Sequence, residues 1–197
     1  MKGLITDIKS TIEISNTDLE NIIARFHSKT FSKSDMIPSF GKTANHIQFI
    51  QQGLIRVYTI DNQAKDVTLQ IGIENMWVNN LYSYITRTPS EYYIEVLEPT
   101  ILLQLHRDDL EDLFKEVPPM ERYFRLKREQ SYIRLHNRTL HQRNHSAEER
   151  YIKFRNTYGY IENRVPQYII ASYLNLSPEH LSKIRNHLAK KEFLNSD

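Results

Sequence analysis

The 197-residue sequence contains no cysteine, which excludes disulfide bonds, thiolate metal sites and iron–sulfur centres held by cysteine. It also lacks any run approaching the roughly 20 apolar residues of a membrane-spanning helix, and its start, MKGLITDIKSTIEIS, lacks a signal-peptide core. Glycine is scarce, with five residues, and no glycine-rich phosphate loop occurs. We therefore expect a cytoplasmic protein that has no membrane partner, no disulfide bond, no cysteine-held metal centre and no glycine-rich phosphate loop.

Charge is distributed unevenly along the chain, although 40% hydrophobic residues are enough for an ordinary core. Residues 1–120 carry 16 acidic and 11 basic side chains, whereas residues 121–197 carry 15 basic and 8 acidic ones. An acidic first part and a basic second part indicate two modules, of which the second faces a polyanion such as nucleic acid.

Short alternating runs dominate the first module. Thr17-Asp18-Leu19-Glu20 resembles a capping box and predicts an amphipathic helix over about residues 17–28. From residue 31 onward, short β-rich runs are separated by turn residues, and the clearest pair, Leu54–Ile60 and Val67–Ile71, predicts a hairpin. Several short strands at this spacing favour a closed antiparallel barrel or jelly roll.

A long helix is predicted after a short one. Residues of about 107–115 form the short helix, and about 120–143 contain neither glycine nor proline. Apolar side chains recur there every seven residues, which is typical of a dimerisation helix, while packing against the chain's own barrel is the alternative. The candidate dimer contacts are Tyr123, Leu126, Ile133 and Leu140.

Two helix starts lie close together in RVPQYIIASYLNLSPEHLSKIRNHL, residues 164–188. Pro166 opens the first helix, and Ser177-Pro178-Glu179 opens the second with a serine cap and an acid in the first turn. A short turn, the small Ala171 at the crossing and a polar outer face on the second helix favour a helix-turn-helix. An ordinary helical hairpin shares the apolar stripes and stays open as an alternative.

These elements define the expected fold class and domains. The chain is predicted to be α+β, with an N-terminal antiparallel β-roll (jelly roll) and flanking helices, a long dimerisation helix, and a C-terminal all-α helix-turn-helix domain. The expected bounds are 1–118 for the β-roll sensor domain, 119–143 for the linker helix and 144–197 for the DNA-binding domain.

The order of a capped helix, a β-roll, a long helix and a helix-turn-helix resembles the Crp/Fnr superfamily of bacterial transcription regulators. SPEHLSKI resembles that family's recognition-helix core, with Pro178 in place of the first base-reading arginine. The resemblance implies that Ser177 binds a phosphate, that Glu179 accepts from cytosine and that Lys183 faces guanine. It implies a homodimer on double-stranded DNA, with the contact set Arg164, Gln167, Ser177, Pro178, Glu179, His180, Lys183 and Lys190.

The family's cyclic-nucleotide pocket is degenerate in this sequence. Asn79 and Asn80 stand where the family has glycine and an acid, and Ser90 or Glu91 stands where it has a phosphate-pairing arginine. An acid would repel a cyclic phosphate, so we expect no response to cAMP, and the effector is left open. Arg87 is a weak substitute, and aromatic side chains nearby line either a pocket or a core. The candidate pocket residues are Trp77, Asn79, Asn80, Leu81, Arg87, Ser90, Glu91 and Tyr92.

Three further expectations complete the interpretation. The given sequence ends with KKEFLNSD, so no C-terminal wing is expected after the recognition helix. His141 and His145 have a spacing that metal ligands use, but no third ligand accompanies them, so neither metal nor cofactor is expected. A cupin-like enzyme is disfavoured because it needs a His-x-His pair and a carboxylate on neighbouring strands, whereas His46 and His106 are solitary. The rival to a DNA-binding regulator is a small-molecule-binding β-roll module whose helical tail docks a protein partner.

Overall fold

The computed structural model describes residues 1–194, with Glu192 described for its backbone alone. Within those residues it contains eight α-helices, one 3-10 helix (Gly159–Ile161) and eight strands. The helices are α1 (Lys2–Thr11), α2 (Asn16–Ala24), α3 (Leu81–Thr86), α4 (Arg107–Glu116), α5 (Pro119–Asn144), α6 (Ala147–Tyr158), α7 (Gln167–Tyr173) and α8 (Pro178–Leu194). The strands are β1 (His27–Phe31), β2 (Met36–Ile37), β3 (His46–Gln52), β4 (Ile55–Ile60), β5 (Asp66–Gly72), β6 (Trp77–Val78), β7 (Tyr93–Val96) and β8 (Thr100–His106).

The strands form two four-stranded sheets, in the orders β1-β8-β3-β6 and β2-β7-β4-β5. The registered pairs are antiparallel, for example His46 opposite His106 on β3 and β8. This is the two-sheet arrangement of a jelly roll. The α+β fold with an antiparallel β-roll, a long helix and C-terminal helices is therefore confirmed.

Alternating side chains of β8 divide the first core into two layers. Leu102 lies in a cluster with Ile55 and Val96 from the other sheet, whereas Leu103 and Leu105 lie in a cluster with residues of the helices. Because neighbouring residues of a strand point to opposite faces, one strand supplies both clusters. The first sheet is thus buried on both faces, between its partner sheet and a layer of helices.

The chain divides into two compact units. The first comprises residues 1–59 and 70–131, and the second comprises residues 60–69 and 132–197. In the second unit, α8 packs against α6 and α7. The apolar core of this unit includes the buried side chains of Tyr151, Phe154, Ile169, Ile170, Ala171, Leu181, Ile184 and Leu188.

The first predicted helix begins at a different cap. Ser15, rather than Thr17, is the N-cap of α2, and its Oγ accepts a hydrogen bond from the Asp18 amide at 3.0 Å. The same hydroxyl donates to the Asp18 carboxylate at 2.7 Å, so an acid at the third helical position replaces the expected glutamate. The helix also ends earlier, at Ala24, because β1 begins at His27. Residues 195–197, on which the expectation about a wing partly depends, lie outside the described residues.

Candidate nucleic-acid interface and ligand cavity

The turn between α7 and α8 has the geometry of a tight helix-turn-helix. Asn175 adopts a left-handed conformation, with φ of 56°, and the Leu176 amide returns to the Ala171 carbonyl at 2.9 Å. Asparagine tolerates this region better than most residues, which explains its place after the helix end. The Ser177 Oγ then accepts from the His180 amide at 3.2 Å and caps α8, as the sequence predicts.

The inner faces of the two helices are closed against the core. Ala171 and Leu181 have no exposed surface, and Ile169 and Ile170 are equally buried. A larger side chain at Ala171 would separate the two helices, because protein interiors are close-packed. The predicted small residue at the crossing therefore sets how closely α7 supports α8.

The outer face of α8 is polar and exposed. Glu179, Lys183 and Lys190 lie on it, together with Ser177, Pro178 and His180 at the helix start. A hydrogen bond from its own backbone amide, followed by one from the Ser177 side chain, lowers the pKa of Glu179, so this carboxylate is charged at neutral pH. At the start of α7, Gln167 is exposed, whereas Arg164 just before it is half-buried.

Three exposed residues on the same face were not among the predicted contacts: Ser182, Asn186 and His187. They follow Glu179 and Lys183 at spacings of three and four residues, so the helical period alone could have identified them. Their side chains add hydrogen-bond donors and acceptors between the two charged positions.

Polar contacts inside the second unit hold α8 in place. Glu162 accepts a hydrogen bond from the Tyr151 hydroxyl at 2.5 Å and pairs with Arg185 at 3.5 Å. Burial first, and then the hydrogen bond to Glu162, raise the pKa of Tyr151 to about 12, so the hydroxyl keeps its proton. Arg185 is thus engaged in a structural ion pair rather than on the outer face with Lys183.

The tip of the β4–β5 hairpin, residues 60–69, is fastened to α7 and α5 within the second unit. The Ser172 hydroxyl accepts from the Thr68 amide at 2.9 Å and donates to the Asp66 carbonyl at 2.9 Å. Arg138 donates to the Thr68 carbonyl at 2.8 Å, to the Tyr173 carbonyl at 3.0 Å and to the Leu69 carbonyl. Sequence reasoning missed this arginine.

A cavity of about 260 Å³ lies in the β-roll. Its polar lining comes from separate strands and loops and includes Lys29, Lys42, His46, Asn80 and Ser90, with no acidic residue among the lining side chains. Partial burial first, and then the nearby His106 and Lys29, lower the pKa of His46. The cavity therefore has a positive to neutral lining, which suits an anionic or polar small molecule.

Two of the eight predicted pocket residues line this cavity, and they contact each other. The Asn80 amide donates to the Ser90 hydroxyl at 2.6 Å, and Asn80 also caps α3 by accepting from the Ser83 amide at 3.0 Å. Three basic side chains, Lys29, Lys42 and His46, were missed because they come from distant parts of the sequence.

The other six predicted pocket residues lie elsewhere. Arg87 donates to the Asn45 side chain at 2.5 Å and to the Ala44 carbonyl at 3.0 Å, so it is occupied by the loop beside it. Trp77 packs with the helical core and Tyr92 packs against the inter-sheet core, as the aromatic-core alternative holds. Asn79 accepts from the Gln48 amide at 2.9 Å, while Leu81 and Glu91 are exposed.

One predicted dimer contact requires correction. Tyr123 has no exposed surface, because its ring lies in the core of the first unit beside Trp77 and Phe124. It therefore cannot contact a second chain. Leu126 is half-buried, whereas Ile133 and Leu140 are 55% and 43% exposed. Two more apolar side chains on α5 are exposed and were missed: Tyr132 at 68% and Leu135 at 60%.

His141 in α5 and His145 just after the end of this helix contact each other through their Nδ1 atoms at 3.1 Å. Throughout residues 1–194, no group of three or more potential metal-ligating side chains occurs. The helices in that part of the chain include none that is long and apolar enough to span a membrane.

Comparison with known proteins identifies the fold. Residues 28–117 match the family model of the cyclic nucleotide-binding domain. The c-di-GMP responsive global regulator CLP of Xanthomonas campestris is 11% identical, with a TM-score of 0.74 over 90% of this chain and 93% of CLP. FixK2 of Bradyrhizobium japonicum is 14% identical, with a TM-score of 0.73 over 85% of this chain and 86% of its own. A CooA mutant from Carboxydothermus hydrogenoformans is 17% identical, with a TM-score of 0.69 over 94% and 84%. No curated protein sequence matches the chain significantly.

Residues 28–117 are thus similar to a cyclic nucleotide-binding domain. The chain shares the fold of CLP, FixK2 and CooA, so the fold expected from the resemblance is confirmed.

Proposed function

We propose that this protein is a homodimeric transcription regulator of the Crp/Fnr type that binds a specific DNA sequence through α8 and does not respond to cAMP. Its place of action is the cytoplasm, where bacterial DNA lies, and it has no enzymatic role. The observation that carries the proposal is the outer face of α8, which is polar and exposed while the inner face is buried against α7.

Base reading is assigned to Glu179 and Lys183. A carboxylate that is ionised at neutral pH accepts from the cytosine amino group, and an exposed lysine donates to the guanine edge. Ser177, Gln167, Arg164 and Lys190 take the phosphate-contacting role that fixes the position of the helix in the groove. Ser182 and Asn186 extend the face between them.

Dimerisation is assigned to the exposed apolar side chains of α5. Tyr132, Ile133, Leu135 and Leu140 are each more than 40% exposed, which is unusual for so many large apolar residues on one helix. A second copy that covers them places two recognition helices on one face of the duplex, about 34 Å apart. The operator is then a two-fold-related pair of half-sites.

The effector site is assigned to the β-roll cavity. Its basic and polar lining suits a small anion, but the predicted position for a phosphate-pairing arginine carries Ser90, and Arg87 is occupied elsewhere. Without a bidentate partner, a cyclic phosphate gains little in this cavity. Titration calorimetry with cAMP should therefore show no heat of binding up to millimolar ligand. Cyclic di-GMP is a second probe, because CLP is c-di-GMP responsive. Micromolar binding of cAMP would overturn the assignment of a degenerate pocket.

Selection from a random duplex pool tests the DNA-binding proposal. We expect an enriched motif with two-fold symmetry, and a binding constant whose logarithm falls linearly with the logarithm of salt concentration, because phosphate contacts release counterions. On the enriched site, Lys183→Ala should cost about 1–3 kcal/mol and relax the base preference.

Lys115→Ala is the matched control. Lys115 is an exposed lysine of the first unit that pairs with Asp112 at 2.8 Å, so this variant loses the same charge away from α8. Affinity for the selected site should be unchanged. If no motif is enriched at low salt, and a protein partner is captured whether or not nuclease is present, the protein-docking rival replaces the regulator.

A further inference from the structure

The second unit contains its own cavity, separate from the β-roll and from the outer face of α8. It has a volume of about 220 Å³ and is lined by α5, α6 and the end of α7. Its apolar part is formed by Phe154, Tyr158, Tyr173 and Leu174, with the Phe154 ring 5.7 Å from Tyr158 and 6.0 Å from Tyr173. Nothing in DNA binding requires an aromatic cavity inside this unit.

The polar part of the lining is cationic. Arg134, Arg138, Arg150 and Lys153 line the cavity beside His141, and no acidic side chain is among the lining residues. Four fixed positive charges without a neutralising carboxylate raise the local potential, and low-dielectric walls strengthen that field. Such an arrangement favours an anion over a neutral molecule of the same shape.

In two of these arginines, Arg138 and Arg150, one guanidinium nitrogen has no hydrogen-bond partner in the protein. The Nε atoms of Arg138 and Arg150 are buried without a hydrogen-bond partner, although other nitrogens of the same groups donate to backbone carbonyls. A buried donor without an acceptor is costly, so these two guanidinium groups keep hydrogen-bonding capacity that the protein itself does not use. The Arg138 guanidinium also lies 4.1 Å from the centre of the Tyr173 ring, which joins the cationic part of the cavity to its aromatic part.

We propose that this cavity binds a small aromatic carboxylate, with its ring against Phe154 and Tyr173 and its carboxylate toward Arg150 and Lys153. The volume limits the ligand to one or two rings. Inorganic phosphate has the charge but cannot cover the aromatic wall, and a neutral aromatic covers the wall but leaves the charges unpaired. The proposal does not depend on DNA binding, since it concerns a different surface and ligand.

Titration calorimetry of the full chain with 1-naphthoate, without DNA, tests this site. We expect saturable one-to-one binding to the chain, at least tenfold tighter than for 1-naphthamide and at least tenfold tighter than for inorganic phosphate. Lys153→Gln should weaken 1-naphthoate binding about tenfold, because it removes an exposed cation at the cavity edge. Thr157→Trp should abolish binding by filling the cavity from an exposed lining position, without any loss of charge.

Arg143→Gln is the matched control, since Arg143 is an exposed basic residue of α5 outside the cavity lining. This variant should bind 1-naphthoate as the unmodified chain does. Equal weakening by Arg143→Gln and Lys153→Gln would show general charge attraction and overturn the site. Equal affinity for 1-naphthamide, or unchanged binding in a folded Thr157→Trp variant, would overturn it as well. Absence of 1-naphthoate binding at millimolar concentration would do the same.

Discussion

Replacing Tyr123 by phenylalanine should destabilise the first unit by about 3 kcal/mol. The Tyr123 hydroxyl accepts from the Trp77 indole at 3.0 Å and donates to the Asp7 carboxylate at 2.5 Å. Losing a hydrogen bond to a charged group costs roughly 1.5–3 kcal/mol, and a buried donor left unpaired costs roughly 1–3 kcal/mol. Asp7 keeps its ion pair with Lys127 at 2.6 Å, so the variant should lose less stability than the sum of the two largest costs. Burial, followed by the bond to Asp7, raises the pKa of Tyr123, so the hydroxyl remains protonated and the loss does not vary across neutral pH.

Urea denaturation followed by tryptophan fluorescence measures this loss at the site itself, because Trp77 is the chain's one tryptophan. With a slope of about 2 kcal/mol per molar urea, the midpoint should fall by roughly 1.5 M. Tyr82→Phe is the matched control, since Tyr82 is 67% exposed, and it should shift the midpoint by less than about 0.25 M, as expected for a surface change. A loss below about 0.5 kcal/mol in Tyr123→Phe would refute the assignment of a buried hydrogen-bond network.

Three further predictions concern local backbone, pH and capping. Gly53→Ala should lower the free energy of thermal unfolding by about 3 kcal/mol or more, because the φ of Gly53 is +107° and an added Cβ would lie 2.7 Å from the Thr100 Cα. The control Gly41→Ala should lower it by about 1 kcal/mol, because Gly41 has φ +72° but no atom within 4 Å of an added Cβ. Because the pKa of His46 is lowered in the folded protein, this residue contributes stability that is present above its unfolded pKa of about 6.5 and is lost as pH falls through its folded pKa. His46→Gln should therefore reduce the drop in the urea midpoint between pH 7.5 and pH 5. Ser177→Ala should lower the unfolding free energy of the second unit by about 0.5–2 kcal/mol, measured by circular dichroism, because the His180 amide loses its cap.

Periodicity was the reliable signal for the fold. The alternation along residues 54–59 predicted the strand β4, because successive side chains of a strand point to opposite faces. The turn at Asn175 and the start of α8 at Pro178 followed from local chemistry that operates within a few residues. Such features depend on neighbours in the sequence, so they are visible there.

The errors arose where several local interpretations had equal support. Ser15 and Thr17 can each cap a helix, and the structure uses Ser15 because its hydroxyl reaches both the amide and the carboxylate of Asp18. Tyr123 lies one helical turn before Leu126, where the seven-residue spacing of α5 begins, but α1 supplies Asp7 as its partner, and that contact spans 116 residues. A sequence pattern on one helix cannot reveal which element covers it.

Arg138 shows why some contacts could not be predicted from the sequence, because its three acceptors are backbone carbonyls. Every residue has a carbonyl, so no residue type at positions 68, 69 or 173 marks the partner of this arginine. Burial lowers the pKa of its guanidinium, which nonetheless stays charged at neutral pH, and the carbonyl dipoles offset that burial. The hairpin tip is thus held to α5 and α7 by contacts that the residue types do not indicate. Its place in the second unit could therefore be found only from the structure. The same reasoning applies to the aromatic carboxylate site: its cations appeared in the sequence as an ordinary basic stretch, and only the packing of α5, α6 and α7 brings them around one cavity.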